Sequence, residues 1–436
     1  MSRLYLVCSL LAVCFIAGFF SDLIFLLAKI YLLFTILVVL FDFALLFLAR
    51  KDQVFFTRET PEKFSNGDEN PISIFIKNEY AIPIVAVVID EIPMEFQLRN
   101  FQFKVKLAPS QEKIFEYKLR PTTRGEYFFG KTYVYASSPV GLLCRRFSSG
   151  EKQKMVPVYP SFLNIRKYAF LAISNRLTEA GIKRIRRIGQ HSEFDQIKEY
   201  VKGDDSRTIN WKATAKKGKL MINQYQDERS QQIYNIIDMG RVMEMPFNEL
   251  SLLDYSINSS LVLANTALLK HDKAGLITFN TAIHTFIPAE RKNKTMMSMM
   301  EALYNQQTLF AESNFELLYI SLKRYIPHRS LLVLYTNFES LISLSRQLPF
   351  FQKIARSHLL LIVIFENTEI TELSRKEAKT LEEIYIQTIA EKFSYDKRLI
   401  IKELNNHGIL AILTHPYNLS VNLVNKYLEL KDRNLI

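Results

Sequence analysis

Cysteine is scarce, with three residues in 436. Cys8 and Cys14 fall in the first apolar run, and Cys144 stands alone in the remainder. No disulfide framework can form from that set, as expected of a chain whose polar part stays in a reducing compartment. Metal-site and nucleophile spacings are missing as well. The histidines at 191, 271, 284, 328, 358, 407 and 415 are scattered, with no His-Glu-x-x-His and no Cys–His pairing. No catalytic residue is therefore assigned, and the chain is not expected to be an enzyme. Signatures of RNA recognition and helix-turn-helix modules are absent too. The formal charge of +12 suits anionic lipid as well as it suits nucleic acid. Apart from Lys183, Arg184, Arg186 and Arg187 and a second group at Lys212, Lys216, Lys217 and Lys219, the basic residues are dispersed, so no nucleic-acid partner is expected.

Charge is also missing from two long stretches. Leu4–Phe20 has none, and Ile30–Ala49 has only Asp42. As helices they would reach about 25 and 30 Å, enough to cross a hydrocarbon core. No A-x-A-like site separates them, so a cleaved signal peptide fits poorly. Residues 1–51 therefore predict a transmembrane helical hairpin, with the lipid bilayer as a partner. Arg3 precedes the first span, Arg50 and Lys51 follow the second, and Ser21, Asp22 and Lys29 lie around the turn. That balance places both ends, and the soluble domains, on the cytoplasmic side of an inner membrane. Asp42 is expected to face the first helix or another copy of the chain.

From 52 to 160 the apolar period is two. Ile72, Ile74 and Ile76 share one strand face, as do Phe101, Phe103, Val105 and Leu107, and then Phe115, Tyr117 and Leu119. Turn signals at Ser65-Asn66-Gly67-Asp68, Ile82-Pro83, Ile92-Pro93, Ala108-Pro109-Ser110 and Arg124-Gly125 separate these runs. Short strands at such spacing predict an immunoglobulin-like β-sandwich. Gly125–Thr132 matches the P-loop pattern letter for letter. However, Tyr127, Phe128 and Phe129 are strand formers and Tyr133-Val134-Tyr135 continues as strand. No helix N-terminus would then face a phosphate, and two strand segments around a turn are predicted instead.

Residues 161–230 form a linker dense in charge. It holds Gly189, Glu193-Phe194, Asp195, Glu199-Tyr200, Gly203-Asp204-Asp205, Arg207 and Trp211, the single tryptophan. Ile197, Tyr200 and Val201 have helical spacing, predicting a short helix that ends near Gly203. Ser206 is the expected N-cap of a second, with Lys216 and Lys217 in its last turn and Gly218 as its stop. The carboxylates could do acid–base work, but with no nucleophile or metal spacing nearby they are read as a structural or interaction lattice. From 231 to 436 apolar strand runs alternate with helical patterns, predicting a doubly wound, mostly parallel α/β sheet. Strands are expected at Ile233–Ile237, Ala274–Phe279, Leu331–Tyr335, Leu359–Phe365 and Ile409–Leu413, with an edge strand at Ile283–Ile287. One helix is placed at Lys376–Phe393.

The linker resembles the bacterial family catalogued as domain of unknown function 58. The match runs through Gly189, Glu193-Phe194, Tyr200, Gly203-Asp204-Asp205, Arg207, Ile209, Trp211 and Ala215. It departs at Lys198 and Lys216, where the family carries Arg, and at Asn210, where it carries Asp. The resemblance extends to the hairpin, to Arg124-Gly125-x-Tyr127, to Ser138-Pro139-Val140-Gly141-Leu142 and to the C-terminal domain. It implies a von Willebrand factor A-like domain with a Mg²⁺ loop of the form Asp-x-Ser-x-Ser. Here the loop reads Asp238-Met239-Gly240-Arg241-Val242, so Asp238 alone remains of the ligand set. Asn337 stands where a second carboxylate would, and the middle-loop hydroxyl is Thr308 or Ser313. No Mg²⁺ or other cofactor is expected. Asp238, Gly240, Arg241 and Asn337 are read as a degenerate metal site and docking crevice. In it Arg241 either neutralises Asp238 or meets a partner's carboxylate. The resemblance further implies a MoxR-type AAA+ ATPase as partner, and other membrane or envelope proteins as clients. The expected function is a membrane-anchored interaction or adaptor protein. The alternatives are a carboxylate-based hydrolase and a metal-dependent adhesion module.

Overall fold

The computed structural model describes residues 2–48, 53–99, 101–149, 154–162, 192–201, 204, 206–227, 230–308, 310–376, 380–433 and 435. The chain divides into two compact units, Met1–Tyr159 and Pro160–Ile436.

The first unit opens with α1 (Ser2–Gly18) and α2 (Asp22–Phe47). Among the described residues α2 is the helix long and apolar enough to cross a membrane. At 17 residues α1 lies at the short end of that range. Ten strands follow. They are β1 (Val54–Glu59), β2 (Phe64–Ser65), β3 (Asn70–Asn78), β4 (Ile84–Asp90), β5 (Gln102–Leu107), β6 (Glu112–Leu119), β7 (Gly125–Phe129), β8 (Thr132–Ser137), β9 (Cys144–Ser148) and β10 (Lys154–Tyr159). They pair as β1-β3-β6, β2-β10-β7 and β5-β4-β8-β9, antiparallel except for β2 with β10. The period-two faces point inward. Ile72, Ile74 and Ile76 of β3, Ala86 and Val88 of β4, and Val134 and Ala136 of β8 meet in one core. Each such large aliphatic contributes roughly 1.5–3 kcal/mol by its burial. The P-loop look-alike is indeed two strands, β7 and β8, around a turn. A Cβ at Gly130 would lie 2.6 Å from Glu91 Cβ, so a larger residue would force the turn to shift.

A polar cluster crosses this apolar core. Arg58 Nη1 donates to Asp90 Oδ1 at 2.7 Å, and Thr132 Oγ1 donates to the same oxygen at 2.9 Å. The Tyr117 hydroxyl donates to Asp90 Oδ2. Burial, with Asp90 beside it, holds the Tyr117 phenol well above the usual tyrosine range.

Asp42 is not turned toward α1 or left for another copy. It is buried against the sandwich. Its Oδ2 accepts from Leu142 N at 3.0 Å and Leu143 N at 2.7 Å, and its Oδ1 accepts from Ser138 Oγ. The last turn of α2 is held as well. Leu46 O accepts from Tyr80 Oη at 2.9 Å and from Arg145 Nη1 at 2.6 Å. Arg3 Nη1 donates to Val140 O at 3.1 Å. The Ser-Pro-Val-Gly-Leu stretch thus serves as the socket in which the apolar helices seat.

In the second unit, Ser192–Glu199 is not helical. It forms β11, paired antiparallel with β12 (Met221–Asp227), with a register shift between Phe194 and Gln196. Ser206 opens a single 3₁₀ turn rather than capping a helix. The helix is α3 (Trp211–Lys217), and its N-cap is Asn210, whose side chain accepts from Ala213 N. Lys216 and Lys217 occupy its last turn, and Gly218 closes it with φ +67°.

A six-stranded sheet follows, from β13 (Gln232–Asp238), β14 (Lys273–Phe279), β15 (Ile283–Glu290), β16 (Leu331–Tyr335), β17 (Leu359–Phe365) and β18 (Leu410–Thr414). Its order is β15-β14-β13-β16-β17-β18, parallel except for the edge strand β15. Seven helices complete the unit: α4 (Leu252–Leu269), α5 (Asn293–Tyr304), α6 (Phe315–Tyr325), α7 (Leu341–Ser357), α8 (Thr368–Arg375), α9 (Leu381–Asn406) and α10 (Leu419–Asp432). Residues of α4, α5 and α10 pack with one face of the sheet, and those of α6, α7 and α9 with the other. The helix expected at Lys376–Phe393 is in fact α9. It starts at a Thr380–Glu383 capping box and runs on to Asn406, because Ile400 and Leu404 extend its buried face.

Candidate functional site

Strand order reverses between β13 and β16, and ligands of open α/β sheets bind outside the carboxyl ends of the strands at such a point. Asp238 ends β13, and Thr336-Asn337 follows β16 directly. Asp238, Gly240, Arg241 and Asn337 line one crevice of about 160 Å³ there, with Ser313 and Thr336.

The Asp238 carboxylate is buried and fully engaged. Gly240 N donates to Oδ1 at 2.8 Å, Ser313 Oγ donates to the same oxygen, and Thr336 Oγ1 donates to Oδ2 at 2.6 Å. Burial pushes its pKa up, against the pull of those three donors. Of the two hydroxyls expected near this loop, Ser313 and not Thr308 is the one that donates to Asp238. Ser313 also explains Gly240, since a Cβ there would lie 2.2 Å from its Oγ. Arg241 is exposed and, among the described residues, makes no ion pair or hydrogen bond with Asp238.

The oxygen of Asn337 is occupied as well. Lys397 Nζ, arriving from α9, donates to Asn337 Oδ1 and to Phe338 O, the latter at 2.7 Å. Burial pushes the Lys397 pKa down to about 8, although the Glu339 carboxylate acts to raise it. These residues do not fit Mg²⁺. The one carboxylate already accepts from three internal donors, the second position is an amide held by an ammonium, and Arg241 adds positive charge, whereas a hard cation needs converging anionic oxygens. Among the described residues no group of three or more His, Cys, Asp or Glu could hold a metal ion. Lys397 escaped the sequence reading, although Phe393, Lys397, Ile400 and Leu404 share one helical stripe in which the lysine is the exception.

The linker residues lie elsewhere in the second unit. Glu193 and Phe194 are in β11, and Tyr200 follows it, its N–H donating to Leu220 O at 2.8 Å. Asp204 accepts from Val201 N at 3.0 Å and from Lys198 Nζ at 3.1 Å, and these donors hold its carboxyl below the usual range. Arg207 lies in the 3₁₀ turn, and Trp211 starts α3 with 70% of its surface exposed. Gly189, Gly203 and Asp205 lie outside the described residues. Asp204 thus closes a turn, with its acceptor oxygens committed.

Comparison with known families settles part of the assignment. Residues 196–371 match the family model described as "Protein of unknown function DUF58". That segment is a DUF58 region. It spans the crevice residues from Asp238 to Asn337 and ends before Lys397. Among curated proteins, an uncharacterized protein, YeaD, of Bacillus subtilis (strain 168) is 23% identical over 204 residues, which is 45% of this chain and 50% of that one. The chain thus spans about half the length of the curated relative it matches. Among solved structures, a CARDB domain from Pyrococcus furiosus is 16% identical with a TM-score of 0.19, covering 24% of this chain and 91% of that one. A native α2-macroglobulin fragment from Escherichia coli is 18% identical with a TM-score of 0.20, covering 24% of this chain and 16% of that one. At such scores neither likeness decides the architecture.

Proposed function

We propose that the chain is a membrane-anchored interaction or adaptor protein. It works with a MoxR-type AAA+ ATPase in the maturation or remodelling of other membrane or envelope proteins. In this reading the DUF58 region and the strands around it are a von Willebrand factor A-like domain that no longer uses its metal. The soluble units face the cytoplasm, and the bilayer holds them through α2 and α1.

The observation that carries the reading is the state of the crevice. Its one buried carboxylate, Asp238, is held by three internal donors, which does not poise it as base or nucleophile. Open to a partner are the exposed guanidinium groups of Arg241 and Arg346, both lining the crevice. Where a metal-binding relative would place a cation to meet a partner carboxylate, Arg241 meets that carboxylate directly by a bidentate pair. The hydrolase reading lacks comparable support, because Asp204 is committed to its turn. The test is co-expression with a MoxR-type ATPase and purification through this chain. The ATPase should co-purify with wild type. With Arg241→Glu it should be depleted about tenfold, the effect of roughly 1.4 kcal/mol, with an unchanged melting temperature. Equal recovery with that variant, or none with wild type, rejects the reading.

A further inference from the structure

Beside the crevice, and sharing Asn337 and Glu339 with it, a second cavity of about 260 Å³ lies at the carboxyl end of the sheet. Phe247, Leu252 and Phe365 line it and are buried. Phe393 of α9 also lines it, with 45% of its surface exposed. One turn further along α9, Lys397 completes this wall. Its ammonium gives two protons to neutral oxygens, of Asn337 and Phe338. A lysine carries three donors, so one is left. Among the described residues no carboxylate is in ion-pair contact with Lys397; Glu339 acts on it only from beyond that distance, and a largely buried ammonium gains from a direct anionic partner. The cavity therefore joins an apolar floor to an ammonium that no carboxylate of the described residues contacts.

Two acidic residues restrict what can enter. Glu339 and Glu366 line the same space, Glu366 lying 3.5 Å from His415 Nε2. They repel a ligand bearing several negative charges and offer acceptors to amide N–H groups. A peptide end satisfies both conditions, since its one carboxylate follows an amide donor. A fatty acid supplies no such donor.

We propose that this cavity captures the free C-terminal residue of a partner chain, with an apolar side chain on Phe247, Leu252 and Phe365 and the α-carboxylate on Lys397. This rests on the reading of the sheet edge as a docking surface and names the partner group that seats there. Capture of a terminal carboxylate is an established mode of peptide recognition, and a charged hydrogen bond gives it selectivity over the amide.

The test uses the full-length protein in nanodiscs and a fluorescent hexapeptide ending in leucine. The free acid should bind saturably, and the same peptide with a C-terminal amide about tenfold more weakly. Lys397→Met should bind the acid as weakly as wild type binds the amide. Phe393→Asp, changing a side chain already in solvent, should lose the acid even if Lys397→Met fails to fold. Decanoate should not displace the peptide. Equal affinity for acid and amide, no binding of either, acid binding retained in Phe393→Asp, or displacement by decanoate overturns the proposal. Arg241→Glu reports on the crevice separately. It should lower ATPase capture and leave peptide affinity within about twofold, so failure of the cavity and failure of the docking reading give different patterns.

Discussion

At Gly240 the serine that a metal loop would carry would push the Ser313 hydroxyl away from Asp238, because a Cβ there meets Ser313 Oγ at 2.2 Å. The hydroxyl is supplied to Asp238 from another loop, and the position near the strand end must stay bare. Gly240→Ser should therefore overpack the site and lower stability by about 1–3 kcal/mol. It should not create a response to millimolar Mg²⁺ in a thermal melt, and wild type should show none. A Mg²⁺-dependent rise in melting temperature in either protein would restore the metal reading. The Arg58–Asp90–Tyr117 cluster makes a second residue-scale prediction. The folded-state pKa of Tyr117 is raised, so above about pH 10, where an unfolded tyrosine ionises, the unfolded state binds fewer protons than the folded one. Stability then falls as pH rises. Tyr117→Phe should lose about 1–2 kcal/mol at neutral pH through the missing donor to Asp90, but decline less steeply between about pH 10 and 11. Urea midpoints across that interval measure the slope. Parallel slopes for the two proteins would show that Tyr117 does not ionise differently on folding.

Among the elements, the long-range contact between α2 and the loop after β8 is the most informative. Asp42 lies near the end of α2, and its acceptors are used by residues about a hundred positions later in the socket at Ser138–Leu143. Counted from Leu23, about 28 Å of helix precedes it. With α2 spanning, its carboxylate sits at the edge of the hydrocarbon core, where the penalty for charge falls away. Asp42→Leu should leave insertion intact or improve it, while orphaning one hydroxyl and two N–H groups at about 1–3 kcal/mol each. The expected result is faster limited proteolysis between β8 and β9 with unchanged membrane retention. Wild-type cleavage rates would show that the socket does not depend on Asp42. The sequence yields Asp42 as an anomaly but not its partner, because nothing local encodes a contact across such a separation. The strands around Ile72–Ile76, Phe101–Leu107 and Phe115–Leu119 and those of the six-stranded sheet were legible, since buried runs and period-two faces are local signals that packing enforces. Ser192–Glu199 was misread for the opposite reason. Ile197, Tyr200 and Val201 also fit a helix, and the strand that decides the matter, Met221–Asp227, comes only after an intervening turn and helix. In the crevice, Asp238 and Asn337 were legible from their strand ends. Ser313 was one of two open choices, and Lys397 was hidden because it lies on a helix whose boundary was drawn at Phe393.

For the whole molecule, the decisive quantity is which side of the bilayer holds the soluble units. Arg3, Arg50 and Lys51 flank the apolar helices, whereas Lys29 is the basic residue near the turn between them. Positive charge is retained on the cytoplasmic side because translocating it is unfavourable, so on the proposed topology three flanking charges against one put both ends inside. The docking of α2 and Arg3 onto the sandwich adds a constraint, since Ser138, Tyr80 and Arg145 must sit on the same side as the last turn of α2. Neither the turn at Ser21 nor the sandwich can then be moved independently, and one measurement fixes both. In a variant with Cys8, Cys14 and Cys144 replaced by serine, Ser21→Cys should react with a membrane-impermeant maleimide in intact cells. Glu382→Cys, exposed in the first turn of α9, should react only after permeabilisation. The reverse pattern would place the crevice, the apolar cavity and Lys397 outside, beyond the reach of any cytoplasmic ATPase. It would thereby remove the proposed partnership as well as the topology.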